Sequence, residues 1–127
     1  MASFMKKYSG ESYAALRIMV GLLFLLHGTQ KLLGFPKDVP DAPAFVLYGA
    51  GGIELVGGIL VAAGLFTSWA AFLCSGLMAA AYWMAHGTNH LFPMLNGGEL
   101  AVIYCFTFLY ISAQGSGKWS VDDLRGA

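Results

Sequence analysis

Glu54 is the residue of this chain with the clearest capacity for chemistry. It lies in an apolar stretch, and its neighbours three and four positions away on a helix are Ala50, Gly51, Gly57 and Gly58. Small residues let a second helix approach closely, so the carboxylate is expected to face a helix and not lipid. A carboxylate so placed either relays a proton or anchors a ligand, or it is structural and pairs a base to fix helix packing. His27 is the expected partner, with Lys31 and Arg17 as alternatives. His86 and Glu99 complete the polar set. Arg17 is expected to snorkel to the nearer membrane surface in preference to reaching inward. His86 and His90 stand four apart, a metal-ligand spacing on a helix, but Gly87 and the nearby helix end count against it and no metal is expected. The His-Glu-x-x-His pattern, the nucleophile elbow, the phosphate loop and the haem-attachment cysteine pattern do not occur in the sequence.

These side chains must be positioned by membrane-crossing helices. The chain is 57% hydrophobic and 11% charged, against about 25% charged in ordinary soluble domains. No Asp, Glu, Lys, Arg or His falls between Leu55 and Ala85, a run longer than the roughly 20 apolar residues that one crossing needs. The apolar runs are continuous and do not alternate, which excludes barrel strands. Four spans are expected, at about 12–34, 45–66, 69–87 and 98–114. Ser12 would cap the first, Gly34 and Pro36 stop it, and Thr67-Ser68 form a short connection between the second and third. Lys6 and Lys7 precede the first apolar stretch as in a signal peptide. No small-residue cleavage site follows, so that stretch is read as a retained span. The fold class is thus all-α: one membrane domain over 1–127, an up-down-up-down bundle of four transmembrane helices. With about 1.5 Å of rise per residue, His27 and Glu54 sit at similar depth, roughly 10 Å from the outer helix ends. Cys74 and Cys105 lie within apolar runs and read as small buried hydrophobes. No basic stripe is present, and no nucleic-acid partner is expected.

The two halves echo each other. His27-Gly28-Thr29-Gln30-Lys31-Leu32, Phe35-Pro36 and Gly51-Gly52-Ile53-Glu54-Leu55 are followed in the same order by His86-Gly87-Thr88-Asn89-His90-Leu91, Phe92-Pro93 and Gly97-Gly98-Glu99-Leu100. This order predicts two pseudo-repeated helical hairpins related by an axis along the membrane normal, with His27 matching His86 and Glu54 matching Glu99.

Several segments carry a resemblance to a known family. Arg17, Gly21, Phe24, His27-Gly28 and Lys31 resemble the first helix of the DoxX family. Glu54-Leu55-Val56-Gly57-Gly58 with Gly64-Leu65-Phe66-Thr67 resembles its second-helix motif, and Asn96-Gly97-Gly98-Glu99 the start of its fourth helix. Gly115-Ser116-Gly117 and Ser120-Val121-Asp122 are similar to its tail. The resemblance implies a quinone- or thiol-linked redox setting. The expected role is an accessory subunit of an oxidoreductase complex, not an independent enzyme, with no built-in cofactor and a quinone as the implied one. Other redox subunits, or further copies of the chain, are the implied partners. Glu54, His27, Lys31, His86, Glu99 and Arg17 are then the ligand-binding or proton-relay candidates. A carrier for a small molecule, or an assembly subunit without chemistry, are the alternatives.

Basic residues set the expected orientation in the cytoplasmic (inner) membrane. Lys6, Lys7, Arg17, Lys118 and Arg125 lie on the side of both termini, and Lys31 and Lys37 on the other, so both termini should be cytoplasmic. A cysteine introduced as Lys37→Cys should therefore react with an impermeant maleimide added to intact cells. Labelling that needs lysis would reverse the orientation.

Overall fold

A computed structural model describes residues 1–126; Ala127, the last residue of the expected single domain, lies outside the described residues. The described residues form helices and no strand. A 3₁₀ turn at Lys6–Tyr8 leads into α1 (Ser9–Leu33). A π-helical turn, Val46–Ala50, opens α2 (Gly51–Ala63), and α3 (Thr67–Ala85) follows closely. A short α4 (Pro93–Asn96) precedes α5 (Glu99–Gln114), and α6 (Val121–Leu124) closes the chain. Three stretches, Lys6–Leu33, Val46–Ala63 and Thr67–Ala85, are long and apolar enough to cross a membrane; Glu99–Gln114 is apolar but shorter.

Three boundaries differ from expectation. The first helix begins at Ser9, and Ser12 lies inside it. Thr67 and Ser68 belong to α3, because Gly64 in the left-handed conformation (φ 73°) ends α2 and turns the chain within Gly64–Phe66. The polar loop after His86 contains the helical turn α4, started by Pro93 at a position where its missing N–H costs nothing. Gly34 ends α1 as the sequence indicates, left-handed at φ 69° with its N–H on the Gln30 and Thr29 carbonyls.

The packing is that of a protein with oil outside. Large apolar side chains such as Leu22, Leu23, Val56, Phe72, Ile103 and Phe106 point outward and stay exposed. The interior holds Phe24, Val61, Ala71, Cys74, Met78, Tyr104, Phe108 and Ile111, and with them Arg17 and Glu54. In lipid the apolar exterior costs nothing, so close packing and internal polar pairing hold the helices together. α1 packs chiefly on α2, α3 on α5, and α2 meets α3. The α1–α2 contact runs along glycines two turns apart on each helix, Gly21 and Gly28 against Gly51 and Gly58. A Cβ added at Gly58 would stand 2.6 Å from the Leu25 backbone nitrogen, and one at Gly21 would stand 2.5 Å from that of Ala62. Only glycine permits this separation.

At the end of the molecule that holds both termini, Arg17 is wholly buried, at 0% exposure. It does not snorkel; the C-terminal segment covers it. Its Nε donates to the Val61 carbonyl (3.0 Å), its Nη1 to Ser116 and to Lys118 (2.9 Å), and its Nη2 to Trp119 (2.7 Å). Gly115, Gly117 and Trp119 all have positive φ, which turns successive carbonyls toward one guanidinium. Tyr13, one turn earlier on the same face, donates to the Gly115 carbonyl at 2.5 Å. The carboxylate of Asp122 accepts from the backbone N–H groups of Phe66 (3.3 Å) and Thr67 (3.4 Å) and from the Ser116 hydroxyl (2.6 Å). It thereby caps α3. The Ser116 hydroxyl first, then these backbone N–H groups and the charge of Arg125, hold the Asp122 carboxyl below its ordinary range. Arg17→Met would strand four carbonyls. It should cost on the order of 3 kcal/mol, since each buried group left without a partner costs about 1–3. Thermal unfolding in detergent reads this directly, and a variant as stable as the parent would refute the clamp.

Candidate functional site

The π-turn and the glycine contact build the second polar region, at the end of the helices nearer the α1–α2 connection. Gly51 has no Cβ, and one placed there would lie 2.9 Å from the Cβ of Lys31. Lys31 can therefore lie across α2 and reach Glu54, its Nζ standing 3.0 and 2.9 Å from the two carboxylate oxygens. Glu54 is 3% exposed. The partner expected first, His27, is thus replaced by Lys31. The longer lysine stem spans the helix contact, whereas the His27 ring turns toward α5 and meets the Tyr104 ring edge-on at 5.8 Å between centroids.

His27, Lys31, Glu54 and His86 line one cavity of about 330 Å³. Its remaining walls are largely apolar and include Phe24, Val46, Met78, Leu100 and Tyr104. His86 follows the last residue of α3, and its Nδ1 lies 3.0 Å from the Asn96 carbonyl. A carbonyl only accepts, so Nδ1 carries a proton, and Nε2 is the acceptor whenever the ring holds one proton. Asn96 is itself held: its amide donates to the Tyr82 hydroxyl (2.9 Å) and the His90 carbonyl (3.0 Å), and its side-chain oxygen accepts from Gly98 N–H (2.8 Å). A ring with a free acceptor nitrogen is thereby fixed in the lining of the cavity that also holds the ion pair.

Two candidates fall elsewhere. Arg17 belongs to the clamp at the opposite end of α1. Glu99 begins α5 and is exposed, so it does not repeat the setting of Glu54. The reason is local. His27 sits inside a helix that continues to Leu33, whereas α3 stops at Ala85 and leaves His86 at the cap and His90 exposed in the turn beyond. The four-residue histidine spacing therefore does not lie on a helix. Among the described residues no group of three or more His, Cys, Asp or Glu side chains is placed to hold a metal.

Tyr104, Asn96 and Tyr82 were not among the residues expected at the site. Tyr104 had a readable signal: it shares helical spacing with Phe108 and Ile111, all three buried, and so faces inward. Asn96 stood in the segment Asn96-Gly97-Gly98-Glu99 that carries the family resemblance, but nothing there marked its carbonyl as the one that fixes His86.

The DoxX family profile matches residues 12–87, more than half of the sequence. The chain belongs to the DoxX family. A protein of Haemophilus influenzae (strain ATCC 51907 / DSM 11121 / KW20 / Rd) is 44% identical over 126 residues, covering 94% of this chain and 94% of its own length. A second protein of that organism is 30% identical over 127 residues, covering 91% of this chain and 84% of its own. Both bear the name "Uncharacterized protein". A Bacillus subtilis (strain 168) protein named "Putative oxidoreductase CatD" is 26% identical over 112 residues, 84% of this chain and 81% of its own. No solved structure matches the chain. Arg17, Gly21, His27, Gly28, Lys31, Glu54 and His86 all lie inside the matched DoxX segment.

For this DoxX-family membrane protein the ion pair can be tested by removing one partner or both. Lys31→Met leaves a carboxylate without its cation in an apolar interior and should cost on the order of 3 kcal/mol. Lys31→Met with Glu54→Leu removes both charges and should recover most of that loss. Glu54→Gln should be milder than Lys31→Met, because its amide oxygen still accepts from Lys31. Unfolding temperatures in one detergent decide the order; a double variant no better than Lys31→Met alone would refute the stranded carboxylate as the cause of the loss.

Proposed function

We propose that this protein is the membrane subunit of a quinone-linked oxidoreductase complex and that the cavity between His27, the Lys31–Glu54 pair and His86 receives the quinone ring. The observation that carries the reading is the convergence of these side chains on one mostly apolar cavity of about 330 Å³. A quinone ring needs hydrogen-bonding groups at its two oxygens and apolar walls around the rest. Among the lining side chains Lys31 offers a donor and His86 an acceptor. Oxidation of a quinol releases two electrons and two protons. The protons would pass to the Nε2 of His86 and to the Glu54 carboxylate as general bases, and the electrons to a redox-active partner subunit. The name of the Bacillus subtilis relative, "Putative oxidoreductase CatD", agrees with a redox role.

The same reading takes Glu99–Gln114 as a fourth crossing and the chain as an up-down-up-down bundle of two related hairpins. Both termini then face the cytoplasm from the inner membrane, and the quinone site lies toward the outer side.

Purification from native membranes in nanodiscs, with mass spectrometry of bound proteins and small molecules, tests the assembly. In that preparation Glu54→Gln should keep the complex together while quinol-dependent electron transfer falls on the order of a hundredfold, the scale of losing one general base. Unchanged electron transfer in both Glu54→Gln and His86→Phe would rule the site out.

A further inference from the structure

The polar cavity has a second room. A groove of about 460 Å³, larger than the cavity itself, runs between the start of α2 and the outer half of α3. Four residues line both spaces: Val46, Ala50, Ala81 and Ala85. All four are apolar and three are alanine, so the two spaces meet at a neck without a polar group. Val46 and Ala50 are the first and last residues of the π-turn, the one place where α2 departs from α-helical winding. Such wide turns recur at functional sites. Beyond the neck the groove is walled by Phe45, Leu77, Ala80 and Met84, and Asp41 is the one charged residue on its rim. Phe45 and Met84 are each about two-thirds exposed, so the groove opens on the side that faces lipid.

A different space adjoins the cavity on its far side. It is lined by Leu23, Leu26, His27, Gln30, Pro36 and Lys37 among others, and shares His27, Leu100 and Tyr104 with the polar cavity. Gln30 and Lys37 add polar groups to this space, whose walls are otherwise largely apolar.

We infer that the ligand of this site is a single-tailed amphiphile that enters sideways from the bilayer, its head among His27, Lys31–Glu54 and His86 and its tail in the groove between α2 and α3. The inference rests on the proposed ring site and adds to it the tail, its path and the side of entry. A head group delivered from water would need neither the groove nor an apolar neck. An amphiphile already dissolved in lipid needs both, because its tail must stay in apolar surroundings while its head leaves the membrane interface.

The probes are a benzoquinone with a decyl tail ending in a diazirine, and the same ring without a tail. With the wild-type protein in nanodiscs, illumination should place adducts on Phe45, Leu77, Ala80 or Met84. Adducts on Leu23, Leu26, Gln30 or Lys37, or scattered over the outer helix faces, would overturn the path. Ala80→Trp fills the groove outside the head cavity. It should weaken the tailed ring by about tenfold or more, with the tail-less ring bound within about twofold of wild type. Equal binding of the tailed ring by variant and wild type would refute the groove. So would loss of both rings from a variant whose unfolding temperature is normal. Failure of the wild-type protein to bind either ring would strike the ring site itself, and the groove proposal would fall with it.

Discussion

The backbone contact between α1 and α2 governs the rest of this structure. Where Gly21, Gly28, Gly51 and Gly58 meet, the two helices come within a distance that no side chain allows, and close backbone packing replaces the apolar burial that lipid does not reward. The ion pair follows from it. Lys31 reaches Glu54 only because Gly51 leaves room for its stem. The cavity follows as well, since His27 is on the same turns of α1 and is presented to α5 once α2 is in place.

The protein satisfies its two intramembrane cations by different chemistry. Lys31, a compact charge on a flexible stem, is met by a carboxylate. Arg17, a planar fork with five N–H donors, is met by the Val61 carbonyl in the last turn of α2 and by three carbonyls of the segment that follows α5. Four oriented carbonyl dipoles thus surround the guanidinium without a formal anion among its hydrogen-bond partners. The carboxylate pair can gain or lose a proton or exchange a partner for a ligand. The carbonyl cage can do neither, which suits the cavity end to chemistry and the other end to architecture.

Much of this was legible in the sequence. The apolar runs gave the long helices, and the ring of small residues around Glu54 gave its inward direction. Glu54, His27, Lys31 and His86 were readable as one group because each interrupts or bounds an apolar run. What could not be read was which base meets Glu54: depth along an ideal helix favours His27, but the answer depends on side-chain length and on the missing Cβ at Gly51. Arg17 was misjudged because a snorkelling arginine and a caged one look alike until the covering segment is known. The tail offered a faint sign, since Ser120 with Asp123 three residues on is a capping pattern, and Ser120 does accept from the Asp123 N–H. The echo between the halves matched His27 with His86 and Glu54 with Glu99; the two histidines line one cavity, but the two glutamates differ in setting. It missed the exposure of Glu99 because repeated letters do not say where a helix stops.

The cage around Arg17 also orders events during biosynthesis. The carbonyls of Ser116 and Trp119 stand 99 and 102 residues beyond the arginine they receive. The first helix therefore leaves the ribosome and enters the translocon with a cation whose partners do not yet exist. Until they are made, its charge must stay at the lipid headgroups or in the water-filled insertion channel, so α1 cannot take its final depth early. Arrival of the segment 116–119 releases that restraint, so a turn made about a hundred residues later becomes the step that seats α1.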